Sequence, residues 1–447
     1  MGLGLHGGGA AAARFFAARG CRVTVTDLRN AEVLSPSIQA LADLPVRFVL
    51  GKHPEELFTG ADLVIKNPAV PPSSPLLKLA RRIETDISVF LRYNTSPVVA
   101  VTGSKGKSTT ASAIHFCLKT EKPDSRLGGN ITVSPLTFLD EEDRDPLSPV
   151  VLELSSWQLA DLKASGLLKP AVAVLTIILP DHLDRYGTME AYVADKRLIY
   201  RNQTEEDYTL CLKDDPWGRL FYGETPGHPF YYTADSLDAG EPGLYLDSEG
   251  RGFIRRAGRE EEILPPRVRL PGRHNRINLL AAGGACALLG MEASAVGKAL
   301  AEFPGIEHRL EYLSTRRGVD IYNDSAATIP EAAAAGVLSF QRPVVLLAGG
   351  TDKELDFGPF LQAAKQTKGI ALLAGTATDK LLPLLKAEGI TPAGPYAGLD
   401  EALLKAFELT DPGDVLLFSP GCTSFGMFLN EFDRGRKFKA AVNTLPD

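Results

Sequence analysis

Pro97-Val98-Val99-Ala100-Val101-Thr102-Gly103-Ser104-Lys105-Gly106-Lys107-Ser108-Thr109-Thr110 reads as an apolar, largely β-branched strand that passes through a glycine turn into a helix. Each part has a physical role. Gly103 and Gly106 let backbone N–H groups approach an anion, the amino end of the helix favours negative charge, and Lys107 can reach terminal phosphates while Ser108 ligates magnesium. The common spacing of such loops asks for glycine at position 101, where Val101 stands, so this is a shortened variant. A plain glycine turn with an exposed lysine is the alternative, and the joint occurrence of strand, Gly-Lys-Ser and helix weighs against it.

Two more apolar runs end in polar residues. Val150-Val151-Leu152 leads into Glu153-Leu154-Ser155-Ser156-Trp157-Gln158, and Ala171 to Leu179 leads into Pro180-Asp181-His182-Leu183-Asp184-Arg185-Tyr186. The carboxyl ends of parallel strands share one rim, so Lys107, Glu153 and His182 are expected beside one nucleotide. Taken singly, Glu153 also reads as a solvated carboxylate and His182 as a structural histidine. In the helix that follows, Met189, Tyr192, Val193, Lys196, Ile199 and Tyr200 share a face by their three- and four-residue spacing. Lys196 on that apolar stripe is either a snorkelling side chain or a partly desolvated amine with a lowered pKa.

The same alternation of short strands and Ala/Leu-rich helices continues along nearly all 447 residues, which is too long for one ordinary core. An α/β fold of three domains is expected: a Rossmann-like domain over 1–94, a central P-loop ATPase domain with a mostly parallel sheet over 95–303, and a Rossmann-like domain over 304–447. The stretch from Lys213 to Pro271 reads as turns and short strands inserted before another helix. Gly2, Gly4 and Gly7 sit where a strand-to-helix phosphate turn would lie, yet no strand precedes them; either the start lies further upstream or that strand is absent.

Composition narrows the class. With 44% hydrophobic and 23% charged residues the chain reads as soluble and globular. Its five cysteines have no CxxC spacing and no neighbouring histidines arranged as zinc ligands, which argues against zinc or a disulfide framework. A net charge of −7 without a basic, aromatic-interleaved stripe argues against nucleic acid. No run approaches the roughly 18 apolar residues of a membrane span, and no leader pattern opens the sequence. A cytoplasmic location is expected.

Six motifs in order, Val101-Thr102-Gly103 through Thr110, Glu153-Leu154-Ser155-Ser156, Asp181 to Tyr186, Gly272-Arg273-His274-Asn275, Glu307-His308-Arg309-Leu310-Glu311 and Asn323-Asp324-Ser325, resemble the Mur ligases of peptidoglycan synthesis. The resemblance runs from Gly2-Leu3-Gly4 to Ser419-Pro420-Gly421-Cys422 and Arg434-Gly435, and is nearest to the members that add D-glutamate to UDP-N-acetylmuramoyl-L-alanine. It implies an ATP-dependent amide ligase that is a monomer. Leu5, His6, Asp27, Arg29, Asn67 and Asn130 would hold the UDP-muramyl substrate. Gly103, Gly106, Lys107, Ser108, Thr109, Asn275, Asn278, Arg309 and Asp324 would hold ATP, and Ser108, Glu153, His182 and Lys196 would serve two Mg2+ sites. Lys107, His182 and Lys196 carry the catalytic assignment, with Lys196 carrying a CO2-derived carbamate. Thr328, Lys353 and Ser424 would receive the amino acid.

Several positions depart from the D-glutamate-adding pattern: Ala326 for a lysine, Glu431 for an aromatic residue, Gly426 for an aspartate, Ile177 for an asparagine and Lys105 for an asparagine. A lost cation and a gained carboxylate weaken capture of a second substrate carboxylate unless Lys353 compensates. The alternatives are a Mur-type ligase for another amino acid, a folyl-polyglutamate synthase, and a nucleotide-binding relative without turnover. Asp27, Arg29 and Asn130 favour a UDP substrate over a folate, and the retained Lys107, Glu153, His182 and Lys196 favour turnover.

Overall fold

The computed structural model describes residues 1–5, 7–131, 133–141, 144–352, 355–424 and 426–446. Two expected substrate contacts, His6 and Lys353, lie outside the described residues. The chain divides into two compact units, Met1–Pro266 with Ile277–Leu300, and Arg267–Arg276 with Ala301–Asp447.

The first unit is organised around a nine-stranded sheet. Its spatial order is Arg259–Leu264, Gly252–Arg256, Gly243–Leu246, His228–Thr233, Tyr208–Leu212, Val172–Leu175, Val98–Thr102, Val150–Glu153 and Arg126–Gly129. All neighbours pair in parallel except the two hairpins formed by Gly243–Leu246, Gly252–Arg256 and Arg259–Leu264. The Val98–Thr102 strand is buried along its whole length, which is why it reads as an unbroken apolar run rather than an alternating one. Chain order reverses beside it, with Val150–Glu153 on one side and Val172–Leu175 on the other, and such switch points open a crevice at the carboxyl ends of the strands.

The polar stretch after Lys213 is not a separate insertion. Its strands His228–Thr233, Gly243–Leu246, Gly252–Arg256 and Arg259–Leu264 continue the main sheet to its edge, after the helix Pro216–Glu224. The apolar run from Ala171 to Leu179 is also shorter as a strand than its composition suggests. It ends at Leu175: Thr176 N still reaches Thr102 O of the neighbouring strand, but Thr176 Oγ1, Ile177 O and Leu179 N bond Lys105 and Ser104 of the phosphate loop.

At the amino end of this unit are two small parallel sheets, Val23–Asp27 with Val46–Leu50, and Val64–Ile65 with Ile83–Glu84. Met1 and Gly2 touch both: the Met1 ammonium donates to Ile65 O at 2.8 Å, and Gly2 N to Thr26 O at 2.8 Å. A cavity of about 740 Å³ lies along them, lined in part by Leu3, Gly9, Val25, Ile65 and Asn67.

The second unit has a six-stranded sheet ordered Glu311–Arg316, Val319–Asn323, Val415–Phe418, Val344–Ala348, Gly369–Leu373 and Ala393–Tyr396. Only the first pair is antiparallel. Helices cover both faces, Pro330–Leu338 and Gly358–Ala364 packing on one side and Leu399–Glu408 and Glu431–Val442 on the other. The α/β architecture with two large, mostly parallel sheets agrees with the fold expected from sequence.

Candidate functional site

Gly106 adopts φ 88° at the amino end of the Lys107–Leu118 helix, and Gly103 has φ 148°. Both are also required sterically. A Cβ on Gly103 would lie 1.8 Å from Thr176 Oγ1, and one on Gly106 2.4 Å from Asn278 Oδ1. The loop is braced from the next strand: Ser104 N donates to Ile177 O at 2.8 Å, Ser104 Oγ to Leu179 O at 2.9 Å, and Thr176 Oγ1 to Lys105 O at 2.7 Å. Lys107 Nζ donates to Ser104 O at 3.0 Å. Burial lowers its pKa, and Glu153 opposes that shift.

Strand register sets the second group. Val101 pairs with Glu153 on one side and Val174 on the other, so Glu153 follows the same rim as the phosphate loop. The Glu153 carboxylate is only 1% exposed. Its Oε1 accepts from Asn130 Nδ2 at 3.0 Å, while its buried Oε2 has no hydrogen-bond partner. A buried carboxylate oxygen without a donor is costly, and a cation would relieve it.

Lys196 closes the group. It lies on the Met189–Lys196 helix, is 1% exposed, and donates to Gly103 O at 2.7 Å. Its ammonium sits over the Tyr192 ring at 4.6 Å from the centroid, and Tyr192 OH is 3.1 Å from Ser104 Oγ. Burial and then Lys107 push its pKa down to about 7, against the pull of Asp181, Asp195 and Glu153. Of the two readings of this apolar stripe, the ammonium is inward, not snorkelling to solvent.

His182 stands at the edge of this group. Its backbone is left-handed, φ 53°, its side chain is 48% exposed, and its ring lies 5.3 Å from Trp157 and 6.4 Å from Tyr192. Among the described residues no cluster of three or more His, Cys, Asp or Glu side chains could hold a metal ion. The oxygens here that could serve a divalent ion are Glu153 Oε2, which has no donor, and the Ser108 hydroxyl at the start of the adjoining helix. Asn278 lies against Gly106 in this unit; Asn275 belongs to the second unit, where its Nδ2 donates to Pro271 O at 2.6 Å.

The expected UDP-substrate residues separate into two places. Asp27 accepts from Gly4 N at 3.1 Å and from Arg29 N, Nε and Nη2 at 2.9, 3.1 and 3.1 Å. Burial raises its pKa, but Arg29 and Gly4 outweigh burial and hold it at about 2. Asn67 joins them, with its amide 3.3 Å from where a Gly4 Cβ would stand, and Leu5 is exposed in the same turn. Asn130 is instead beside Glu153.

In the second unit Asp324 is held by Ser419 Oγ at 2.6 Å and Leu310 N at 3.1 Å. Burial raises its carboxyl to about 7 against those bonds and against Arg309, whose side chain is exposed on the preceding loop. Ser424 opens on a pocket of about 220 Å³ together with Gly350, Thr351, Gly426 and Arg434; Thr328 is half-buried and does not line it. Arg434 of the Arg434-Gly435 motif also lines this pocket, a place the motif alone does not reveal. It is 1% exposed and donates to Ser325 Oγ at 3.1 Å, Ser325 O at 2.8 Å and Cys422 O at 3.0 Å. It is a buried cation in the pocket of a chain that has Ala326 where a lysine was expected. Thr176 and Tyr192, which support the phosphate loop, also lay outside the site reading; Tyr192 was visible only as a member of the apolar stripe.

Comparison with known proteins places these features in a family. Residues 1–89 match the model for the Mur ligase MurD-like N-terminal domain, and residues 101–286 match the model for the Mur ligase middle domain. The UDP-N-acetylmuramoylalanine--D-glutamate ligase of Treponema pallidum is 40% identical, covering 100% of this chain and 97% of its own length. The enzyme of the same name from a Roseiflexus species is 41% identical over 99% of this chain and 97% of its own length. Among solved structures, the UDP-N-acetylmuramate-alanine ligase MurC of Thermotoga maritima superposes with a TM-score of 0.56 at 19% identity, covering 99% of this chain and 98% of that one. MurF of Acinetobacter baumannii gives 0.57 at 16% identity over 95% and 91%.

Proposed function

The chain belongs to the Mur ligase family, and from that membership we propose that it joins D-glutamate to UDP-N-acetylmuramoyl-L-alanine in an ATP-dependent reaction of peptidoglycan precursor synthesis. The observation that carries the chemistry is the meeting of the phosphate loop, the half-satisfied Glu153 and the inward Lys196 at one switch point.

A carboxylate is a poor electrophile. In this reading one of its oxygens attacks the γ-phosphorus of ATP, ADP leaves, and the resulting acyl phosphate is open to attack at carbon. The amine of D-glutamate adds there, its proton is lost, and inorganic phosphate departs with the oxygen that came from the carboxylate. The chain's part is to position and neutralise. Loop N–H groups and Lys107 face the terminal phosphates, where negative charge accumulates. Asp27, Arg29 and Asn67 are assigned to the UDP end, and Asn130, which donates to Glu153 Oε1, is assigned to the same substrate. Magnesium, when bound, would supply charge neutralisation for the phosphates, and Ser108 and Glu153 would hold it, with His182 at the edge. Exclusion of water from the acyl phosphate protects it from hydrolysis.

The lowered pKa of Lys196 leaves much of its amine neutral near pH 7, the form that can add to the carbon of CO2 with loss of one proton. A carbamate there turns a desolvated cation into an anionic oxygen donor beside Lys107, and this is the role proposed for Lys196. The second unit, with Asp324, Arg309, Thr328, Lys353 and Ser424, is assigned nucleotide closure and amino-acid capture. Domain limits at 94/95 and 303/304, a cytoplasmic location and a monomeric state belong to the same reading; no helix among the described residues is long and apolar enough to cross a membrane.

Purified protein with UDP-N-acetylmuramoyl-L-alanine, ATP and magnesium, supplied with a panel of amino acids, tests the assignment. Phosphate release is expected with D-glutamate. Release with another amino acid and not with D-glutamate would refute the substrate and keep the ligase. With 13C-bicarbonate, a carbamate carbon resonance that disappears in Lys196→Ala is expected.

A further inference from the structure

One buried ion pair belongs to none of the groups described above. Lys66, at the end of the Val64–Ile65 strand, places Nζ 2.7 Å from Asp161 Oδ2, with side-chain exposures of 3% and 7%. The same ammonium donates to Asn67 O at 3.3 Å and Val70 O at 3.0 Å, while Asp161 Oδ2 meets it as a close charge and accepts no hydrogen bond. Those two carbonyls delimit a turn that is closed by Val70 N donating to Asn67 O at 2.9 Å and Ala69 N to Asn67 Oδ1 at 3.0 Å. Lys66 is thus the hub around which the Asn67–Val70 turn is wrapped.

The other end of the pair lies on different machinery. Asp161 is in the last turn of the Ser156–Leu162 helix, whose amino end is capped by Ser155, two residues after Glu153. Trp157 of that helix packs on His182. Burial raises the Asp161 pKa, and Lys66 and then Arg185 oppose the rise. A buried ion pair contributes little net stability compared with apolar residues of similar volume, although breaking one side is costly. What it does supply is a fixed geometry between the two elements it joins.

We propose that Lys66 and Asp161 are positioning residues that lock the Asn67–Val70 turn to the helix beginning beside Glu153, setting the UDP-muramyl substrate in register with the phosphate loop. The inference deepens the ligase reading and rests on it. It names a fixed span between the substrate turn and the rim: moving the turn displaces the carboxylate relative to the γ-phosphate without touching the nucleotide.

The test uses the full chain as Lys66→Met, Asp161→Leu and the Lys66→Met/Asp161→Leu double variant. Steady-state KM and kcat, calorimetric binding of UDP-N-acetylmuramoyl-L-alanine and of a non-hydrolysable ATP analogue, and Tm are measured for each. Each single variant is expected to raise KM for the UDP substrate by about tenfold to a hundredfold, while KM for ATP moves by less than about threefold. The double variant leaves no lone buried charge and is expected to recover Tm relative to the singles. It keeps the raised KM, because the carbonyls of Asn67 and Val70 have lost their donor. A double variant with unaltered KM for the UDP substrate overturns the proposal, as does an equal change in both KM values. If the unaltered protein fails to bind the UDP substrate, the ligase reading falls instead, and that arm is read before any variant.

Discussion

In the nine-stranded sheet, buried charge is left partly unsatisfied: Glu153 Oε2 has no hydrogen-bond partner, and Lys196 Nζ has one carbonyl acceptor at 2.7 Å. In the six-stranded sheet, buried charge is tied down, with donors on both oxygens of Asp324 and three acceptors around Arg434. Both sheets are mostly parallel, and both end their strands in polar loops. The difference separates two uses of the same architecture: one rim keeps free valences at Glu153 and Lys196, and the other holds the charges of Asp324 and Arg434 in place. Substitutions should therefore affect turnover in the first and folding in the second.

Lys196→Ala is the strongest way to break this contrast. We expect kcat to fall by on the order of 10³-fold, with Tm near pH 7 unchanged or higher because a desolvated ammonium has been removed. Phosphate release and thermal unfolding measured on the same sample check it, and a normal rate would remove Lys196 from the site. Glu153→Gln comes next, with kcat down by about 10²-fold and circular dichroism unchanged.

The second unit should respond the other way. Arg434→Met strips the donors from Ser325 O and Cys422 O and is expected to cost about 2–4 kcal/mol in urea unfolding. A variant as stable as the parent would show that the guanidinium is held for substrate rather than for scaffold.

Smallest is a pH effect at Asp324. Its pKa of about 7 lies above the ordinary 3.8, so between those values the folded state binds more protons than the unfolded one. Stability contributed by this group therefore falls as pH rises through that window, and its burial penalty is complete above pH 7. Asp324→Asn should thus gain stability over the parent at pH 8 and lose that gain toward pH 4. A difference independent of pH would contradict the burial argument.

Much of the first rim could be read from sequence because its signals are local. Val98 to Thr110 carries strand, turn and helix in one stretch, and the spacing of Tyr192, Val193 and Lys196 alone puts the lysine on an apolar face. Pairing across the chain was less legible. Thr176 braces Lys105 from 71 positions away, and Lys66 meets Asp161 from a different sheet; no periodicity records such contacts. A lysine closing the apolar run Leu63-Val64-Ile65 was the available hint for the latter. The strands after Lys213 were read as an insertion because they are short and rich in turn residues, whereas their parallel pairing to Tyr208–Leu212 is decided only in three dimensions.

The route of the substrate oxygen gives the most direct test of the site as a whole. UDP-N-acetylmuramoyl-L-alanine carrying 18O in its carboxylate is turned over with ATP and D-glutamate, and the released phosphate is analysed by mass spectrometry. Convergence of carboxylate and γ-phosphate at the Lys107–Glu153–Lys196 rim predicts one 18O in each phosphate formed. Unlabelled phosphate accompanying amide formation would contradict it.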